Sequence, residues 1–318
     1  MDATVDRSRR RFLAALATSV LLLSCQRVPT GRRSPRRIGL ALGGGGIKGL
    51  AHVPMLETFD RLGIRPACLA GTSIGAVFGA MYAAGLEGRR IRRIVRDLLI
   101  GDEEGFGALF GKPRLLGWMQ LFSLHLGEGG LLSSDGFIEW LKGVVPARRF
   151  EDLKIPLRIV AADVNASEQV IFDSGDLFEA IRASIALPGI FPPVRLEGRF
   201  LVDGGVVNPV PFDVLRPECD VVVAIDVTGS GNPIDEEASF LEVIFQSFHV
   251  LETRIVHEKL ANEQPDIYIK PDLHGVRMLE LYKAEEVFEQ AEPAVRRLEQ
   301  ALLRLTRERS RPGCVMAG

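Results

Sequence analysis

The chain has 318 residues, of which 47% are hydrophobic and 25% are charged, and its formal net charge at pH 7 is −2. This composition supplies enough apolar material for one large core, and α/β folds of this length often form a single unit. Because neutralising phosphates requires a basic excess that this chain lacks, the charge argues against nucleic acid as the main partner.

The first 37 residues differ in composition from the rest. Residues 8–13 read Ser-Arg-Arg-Arg-Phe-Leu, which fits the twin-arginine export pattern, and the apolar run that follows is too short for a transmembrane helix but suits a signal peptide. The run ends in Leu-Leu-Ser before Cys25, which resembles a bacterial lipobox with its lipid-bearing cysteine. We therefore expect residues 1–24 to be a signal peptide. Cys25 would then anchor the protein to the cell-envelope membrane, on its periplasmic or outer-membrane side.

Residues 25–37 contain five arginines, which would form a basic tether beside anionic lipid head groups. A solvated linker explains those arginines equally well. Beyond residue 38 the apolar runs are short and interrupted by Gly, Pro or charge, so none of them is typical of a transmembrane span.

Strand-like and helix-like segments alternate from residue 37 onward. The predicted strands cover residues 37–42, 67–70, 157–164, 169–173, 200–202, 220–227 and 266–270, with the third and fourth forming a candidate hairpin. The predicted helices run from a glycine loop to residue 62, over residues 74–84, 87–100 and 176–185, and through most of the chain beyond residue 236. This alternation predicts an α/β fold with a mostly parallel sheet covered on both faces.

Residues 101–133 interrupt this alternation with many glycines and a cluster of large apolar side chains. One interpretation is a helical insertion that packs on the core. The other is a mobile flap that lines an acyl-chain pocket.

Three cysteines remain besides Cys25. They cannot all pair within the chain, and no CxxC or Cys/His spacing indicates a metal site. Cys68 and Cys219 each begin an apolar run, so we interpret them as buried small hydrophobic side chains rather than as a disulfide.

A glycine loop, Gly43 to Gly46, follows the first predicted strand and precedes a helix, with Lys48 and Gly49 just beyond it. Its backbone N–H groups would lie near a helix N-terminus and favour negative charge. The loop also matches a dinucleotide-binding fingerprint, but the acidic residue expected after the second strand is missing. Nucleotide binding and a plain tight turn remain alternatives for this loop.

The second motif is Gly71-Thr72-Ser73-Ile74-Gly75, between a short strand and a helix. The two glycines allow the strand and the helix to cross closely, which forces the serine onto a strained, exposed turn. This context favours Ser73 as a nucleophile.

A serine nucleophile needs a base, and the histidines are poor candidates. His249 and His257 fall on one helical pattern and His274 lies in a short loop, so none follows a strand; His52 falls inside the first helix and His125 in the insertion.

Asp203 is the better candidate for the base. It follows an apolar strand and precedes Gly204 and Gly205, which leave its carboxylate room beside another loop. On its own, the Asp-Gly pair would equally suit a hairpin turn.

Together with the segment at residues 183–193, Ala-Ser-Ile-Ala-Leu-Pro-Gly-Ile-Phe-Pro-Pro, these motifs resemble the signature of the patatin-like phospholipases. The resemblance implies a three-layer α/β/α fold and a Ser–Asp dyad without histidine, metal or other cofactor. Ser73 would attack an ester carbonyl, with Asp203 as base. The N–H groups of Gly44, Gly45 and Gly46 would form the oxyanion hole. The family's supporting motif positions correspond to Lys48, Gly49, Gly71, Gly75, Gly204 and Gly205.

On this interpretation residues 38–216 are the catalytic core, residues 217–307 complete the same domain and are mainly helical, and residues 308–318 are a tail. The expected substrate is a phospholipid or lysophospholipid, met at a membrane through the lipid anchor. A broad carboxylesterase or thioesterase with the same dyad is an alternative, and so is a catalytically silent envelope scaffold.

Overall fold

The computed structural model describes residues 36–99, 121, 123–127, 130–229, 239–276, 280 and 283–310. From Arg37 onward the described residues belong to one compact unit. The predicted signal peptide, Cys25 and nearly all of the predicted tether lie outside the described residues, as do residues 101–120 of the predicted insertion or flap.

The structure describes ten strands, of which seven match the predicted ones and three were not predicted. The ten strands are β1 (Ile38–Leu42), β2 (Cys68–Thr72), β3 (Ser123–Gly127), β4 (Gly130–Ser133), β5 (Leu157–Asp163), β6 (Glu168–Phe172), β7 (Val194–Leu196), β8 (Arg199–Asp203), β9 (Val221–Ile225) and β10 (Ile267–Ile269). Within the described residues, eight of them form one sheet in the order β10-β9-β1-β2-β5-β8-β7, with β6 also paired to β5.

The centre of this sheet is parallel. β10, β9, β1, β2 and β5 run in one direction, whereas β6 and β8 are antiparallel to β5. Every residue of β1, β2 and β9 is buried, as expected for parallel strands with helices on both sides.

The helices are α1 (His52–Arg61), α2 (Ile74–Ala83), α3 (Gly88–Leu99), α4 (Asp135–Val144), α5 (Leu177–Ser184), α6 (Phe240–Asn262) and α7 (Ala284–Ser310). Leu40, Leu69 and Val223 on one face of the sheet share a core with α1, α2 and α7. On the other face, Ala41 and Ala224 share a second core with α6 and with residues 210–215. The predicted three-layer α/β/α fold is therefore confirmed. In the part of the chain that the structure describes, no helix combines the length and apolar character needed to cross a membrane.

Three local predictions need correction. Of the two interpretations of residues 101–133, the helical insertion does not hold over residues 123–133, because β3 and β4 pair there as an antiparallel hairpin; the flap that lines a pocket stays a prediction. The short strand β7 was not predicted, because its three residues carry too little pattern to identify. Helix α7 continues to Ser310, so the predicted start of the tail at residue 308 falls inside it.

Cys68 and Cys219 are both buried, as predicted, but the prediction that they are unpaired is wrong, because a disulfide joins them. The bridge links the start of β2 to the residues just before β9, and therefore passes over β1, which lies between those strands. Gly39 on β1 leaves room for it, since a Cβ there would lie 2.8 Å from the Sγ of Cys219.

The two glycines of the Gly71–Gly75 motif allow α2 to start against the sheet. A Cβ on Gly71 would lie 2.5 Å from the carbonyl oxygen of Gly75, and a Cβ on Gly75 would overlap the carbonyl oxygen of Leu42 in β1. Because both obstacles are backbone atoms, no side-chain rotation could relieve the clash. The motif therefore fixes where Ser73 lies relative to β1 and β2.

We expect Gly75→Ala to lower the free energy of unfolding by about 3 kcal/mol or more, because the added methyl must displace backbone of β1. Gly143→Ala is the matched control, since nothing lies within 4 Å of a Cβ at that position of α4 and φ there is not positive. The control should be neutral or stabilising by about 0.5–1 kcal/mol. Denaturant unfolding of both variants measures the difference, and equal stabilities would contradict this account of the motif.

Candidate active site

Ser73 occupies a strained turn between β2 and α2. Its backbone has φ 55° and ψ −124°, a conformation that residues other than glycine seldom adopt. The Ser73 N–H donates to the Oγ of Ser184 at 2.8 Å, and Ser184 in turn donates to the carbonyl oxygen of Val160 at 2.6 Å. Ser184 is fully buried, so this pair of hydrogen bonds ties the turn to β5.

The sheet register brings Asp203 to the same level as Ser73. Thr72 at the end of β2 pairs with Val160, and the next residue of β5, Ala161, pairs with Asp203. The Ser73 Oγ donates to the Asp203 Oδ2 at 2.6 Å.

The other carboxylate oxygen of Asp203 is held by the backbone, because Gly205 N–H donates to Oδ1 at 2.7 Å. Gly204 allows the turn to approach β5, since a Cβ there would overlap the carbonyl oxygen of Val160. The Asp-Gly-Gly sequence therefore forms a short 3₁₀ turn that aims one oxygen at Ser73, not the hairpin turn that Asp-Gly alone would suit.

Asp203 is buried, with 4% of its surface exposed. Burial raises the pKa of Asp203 to about 6, and the hydrogen bonds from Ser73 and Gly205 oppose part of that rise. A carboxyl with this pKa is mostly ionised at neutral pH, yet it is a stronger base than an ordinary aspartate.

None of the four histidines with described side chains has a hydrogen bond to Ser73 or Asp203. His52 is fully buried and bonds through Nε2 to the Gly43 carbonyl oxygen at 2.8 Å, and burial lowers its pKa to about 4. His249 lies beside Thr253 on α6, and burial lowers its pKa. His257 and His274 are exposed.

The glycine loop does not present all of its N–H groups to the site. Gly43 donates to the carbonyl oxygen of Ile225 at 3.0 Å, and Gly44 donates to that of Pro209 at 2.9 Å. The expectation that Gly44 contributes an oxyanion donor is therefore wrong, because its N–H is already used within the fold. Gly45 and Gly46, both with positive φ, line the cavity together with Ser73.

Lys48 and Gly49 act on the loop from outside the cavity. Lys48 is buried and donates to the carbonyl oxygen of Thr228 at 3.3 Å, and burial lowers its pKa. Gly49 allows the loop to lie against the first residue of α2, because a Cβ on Gly49 would overlap the side chain of Ile74. Both residues brace the loop in position.

The cavity next to Ser73 has a volume of about 290 Å³. Its described walls are almost entirely apolar and come from α2, α3, α4 and the segment 185–191. Ser73, Trp140 and Glu252 provide the polar side chains among the described lining residues.

Sequence reasoning assigned no role to Ser184 or Glu252. Ser184 lies within the segment 183–193 that supported the family resemblance, and this position is the feature of the sequence that could have identified it as a site residue. Glu252 lies inside a long helix, where a glutamate normally indicates an exposed face. Among the described residues, no group of three or more His, Cys, Asp or Glu side chains is placed to hold a metal ion.

Comparison with known proteins gives a consistent result. The sequence model of the patatin-like phospholipase family matches residues 40–216, more than half of the chain. An uncharacterized NTE family protein of Mycobacterium tuberculosis is 33% identical over 201 residues, which cover 63% of this chain and 51% of that protein. Patatin-like phospholipase domain-containing protein 7 of Mus musculus is 29% identical over 279 residues, covering 79% of this chain and 20% of that protein. The chain thus spans about half the length of the mycobacterial relative.

Among solved structures, VipD from Legionella pneumophila aligns with a TM-score of 0.45 and 16% identity, covering 83% of this chain and 67% of that one. Family membership depends on the sequence match, which includes the glycine loop, Ser73 and Asp203. The chain belongs to the patatin-like phospholipase family.

Proposed function

We propose that this protein is a serine acyl-ester hydrolase that releases fatty acids from phospholipids or lysophospholipids. The observation that carries the proposal is the 2.6 Å hydrogen bond from the Ser73 Oγ to the buried Asp203 carboxylate, at a strained turn that opens into an apolar cavity. Nucleophilic catalysis by serine requires a hydroxyl that is hydrogen-bonded to a base, and here that base is a carboxylate of raised pKa.

The geometry supports a two-step reaction. Ser73 Oγ attacks the ester carbonyl carbon while its proton passes to Asp203 Oδ2, and the N–H groups of Gly45 and Gly46 stabilise the oxyanion. As the tetrahedral intermediate collapses, Asp203 returns the proton to the leaving alcohol oxygen and an acyl-Ser73 ester remains. Water then attacks that ester, gives a proton to Asp203 and releases the fatty acid, and the proton returns to the Ser73 Oγ.

Two features support a lipid as the substrate. The cavity walls beside Ser73 are apolar, which suits the fatty-acyl part of an ester. Phospholipids are also the substrate class that the family's description names.

We further propose that the protein is exported and anchored to the cell-envelope membrane through Cys25. The twin-arginine pattern at residues 8–13 and the lipobox-like sequence before Cys25 support this proposal.

Ser73→Ala should abolish hydrolysis of a p-nitrophenyl acyl ester, and Asp203→Asn should lower kcat by about 10²–10⁴-fold because the general base is lost. His257→Ala and His274→Ala are the controls and should keep near-normal activity, as should His249→Ala. A fluorophosphonate probe should label the wild-type protein but not Ser73→Ala. A histidine variant as inactive as the serine variant would contradict the dyad.

The pH profile of kcat/KM should show an acid limb near pH 6. Asp203 must be ionised to accept the serine proton, and burial raises its pKa to about 6, so activity rises as pH increases through that value. Steady-state kinetics on a soluble ester would measure this limb. A limb near the ordinary aspartate value of 3.8 would show that Asp203 is not perturbed as the structure indicates.

In the native host, the mature protein should fractionate with membranes and carry lipid on Cys25, since two or three acyl chains hold a protein stably at a bilayer. Cys25→Ala should release it from the membrane fraction, and Arg9→Lys with Arg10→Lys should leave the precursor in the cytoplasm. Mass spectrometry that found an intact, unmodified N-terminus would contradict export and anchoring.

A further inference from the structure

Glu252 is an ionisable side chain in the wall of an otherwise apolar cavity. It projects from α6, has 8% of its surface exposed, and lines the cavity with Ser73, Gly45 and Gly46. Burying a carboxyl is unfavourable unless it is neutralised or paired, and an apolar side chain would fill the same wall without that penalty. The position of Glu252 therefore calls for a chemical explanation.

The carboxyl of Glu252 lies between the Asp203 turn and the glycine loop. A Cβ on Gly205 would lie 2.6 Å from Glu252 Oε1 and 3.1 Å from Asp203 Oδ1, so the two carboxyls share one small space that glycine leaves open. A Cβ on Gly44 would lie 3.8 Å from Glu252 Oε1 and 3.4 Å from the Cβ of Ser73. Glu252 is thus next to both the glycine loop and the nucleophile, in the same cavity wall as Gly45 and Gly46, the proposed oxyanion donors.

Two carboxyls in one buried space resist double ionisation. The anion of Asp203 is stabilised by two donors, Ser73 Oγ and Gly205 N–H. Burial and the neighbouring charge of Asp203 raise the pKa of Glu252 to about 8. At neutral pH the shared space therefore holds an ionised Asp203 and a protonated Glu252.

Other charged groups face Glu252 from the elements around it. Asp226, after β9, also raises the pKa of Glu252, whereas Lys48 and Lys270 act in the opposite direction. His249 lies one turn earlier on the same helix, and burial lowers its pKa, which favours its neutral form.

We propose that Glu252, in its protonated form, donates a hydrogen bond to the substrate and serves as a third oxyanion donor beside the N–H groups of Gly45 and Gly46. This inference rests on the hydrolase function proposed above. A neutral carboxylic acid can donate to a developing oxyanion without giving up its proton. Asp203 thus remains the group that exchanges a proton with Ser73.

The role has a definite pH dependence. The donor is present below the pKa of Glu252 and is lost as pH rises through about 8, when a carboxylate would oppose the oxyanion. Because Asp203 sets the acid limb, the profile should be bell-shaped, with Glu252 responsible for the alkaline limb.

Two substitutions distinguish the loss of the hydrogen-bond donor at position 252 from a change in the shape of its side chain. Glu252→Gln keeps the length and a donor but cannot ionise, whereas Glu252→Met keeps the length without a donor. The matched control is Glu258→Gln, the same change at an exposed position of α6. We would measure kcat and KM on a p-nitrophenyl acyl ester from about pH 5 to about pH 10, subtracting the Ser73→Ala rate as background.

We expect Glu252→Gln to keep kcat at pH 7 within a few-fold of wild type and to lose the alkaline limb. Glu252→Met should lower kcat by about 10²-fold, the usual effect of removing one oxyanion donor, with a smaller change in KM. Glu258→Gln should reproduce the wild-type profile. If Glu252→Met does not fold, as judged by circular dichroism, the profile of Glu252→Gln decides alone.

An alkaline limb retained in Glu252→Gln, a fully active Glu252→Met, or faster turnover in Glu252→Gln at pH 7 would each overturn the role of Glu252. The last result would mean that the carboxyl is ionised and repels the oxyanion. These outcomes presuppose Ser73-dependent hydrolysis by the wild type. If that hydrolysis and fluorophosphonate labelling are both absent, it is the proposed function itself that fails.

Discussion

The positive φ of Ser73 is the constraint on which the rest of the site depends. A non-glycine residue in such a conformation costs about 1–3 kcal/mol and persists only where its surroundings enforce it. Here Gly75 lets α2 start against the backbone of Leu42, and the buried hydroxyl of Ser184 holds the Ser73 N–H at 2.8 Å. The strain places the Ser73 hydroxyl clear of the sheet, at the edge where the glycine loop and Asp203 also arrive.

Three buried carboxyls near this edge of the sheet have different pKa values, because each has different neighbouring groups. Although burial opposes ionisation, Lys270, Tyr268 and Thr228 keep the pKa of Asp226 below its ordinary value. Asp203 has two hydrogen-bond donors and no such cation, and burial raises its pKa to about 6. Burial, together with the negative charge of Asp203, gives Glu252 the highest pKa of the three, at about 8. One region of the core therefore holds three carboxyls with different pKa values, which suits the roles proposed for Asp203 as base and Glu252 as proton-bearing acid.

The sequence was sufficient for the order of the main elements because each has a strong local signal. At β9 an uninterrupted apolar run is enough to predict a buried strand. At Ser73 the flanking glycines are enough to predict a tight turn between a strand and a helix. The local sequence was not enough to identify Asp203, since an Asp-Gly pair on its own equally suits a hairpin turn. The combination of motifs, through the family resemblance, selected Asp203 as the candidate base.

What could not be predicted depends on partners that are distant in sequence. The run of four glycines does not show which N–H groups are free, because the acceptors for Gly43 and Gly44 belong to Ile225 and Pro209. The pairing of Cys68 with Cys219 spans 151 residues and depends on β9, β1 and β2 being adjacent. Glu252 became a site residue because α6 packs over the Asp203 turn, and helical periodicity carries no information about that packing.

The burial of Asp203, the proposed base, has a cost in stability that depends on pH. The pKa of Asp203 rises from 3.8 to about 6 on folding, so the folded chain holds this proton more tightly than the unfolded chain. The stability from this group is complete below pH 3.8 and is lost as pH rises through about 6, a difference of about 3 kcal/mol at neutral pH. The same burial that raises the basicity of Asp203, as its proposed role requires, therefore weakens the fold at neutral pH. The apolar cores on both faces of the sheet supply the burial that stabilises the fold, and the cost of an ionised, buried Asp203 is subtracted from that stability.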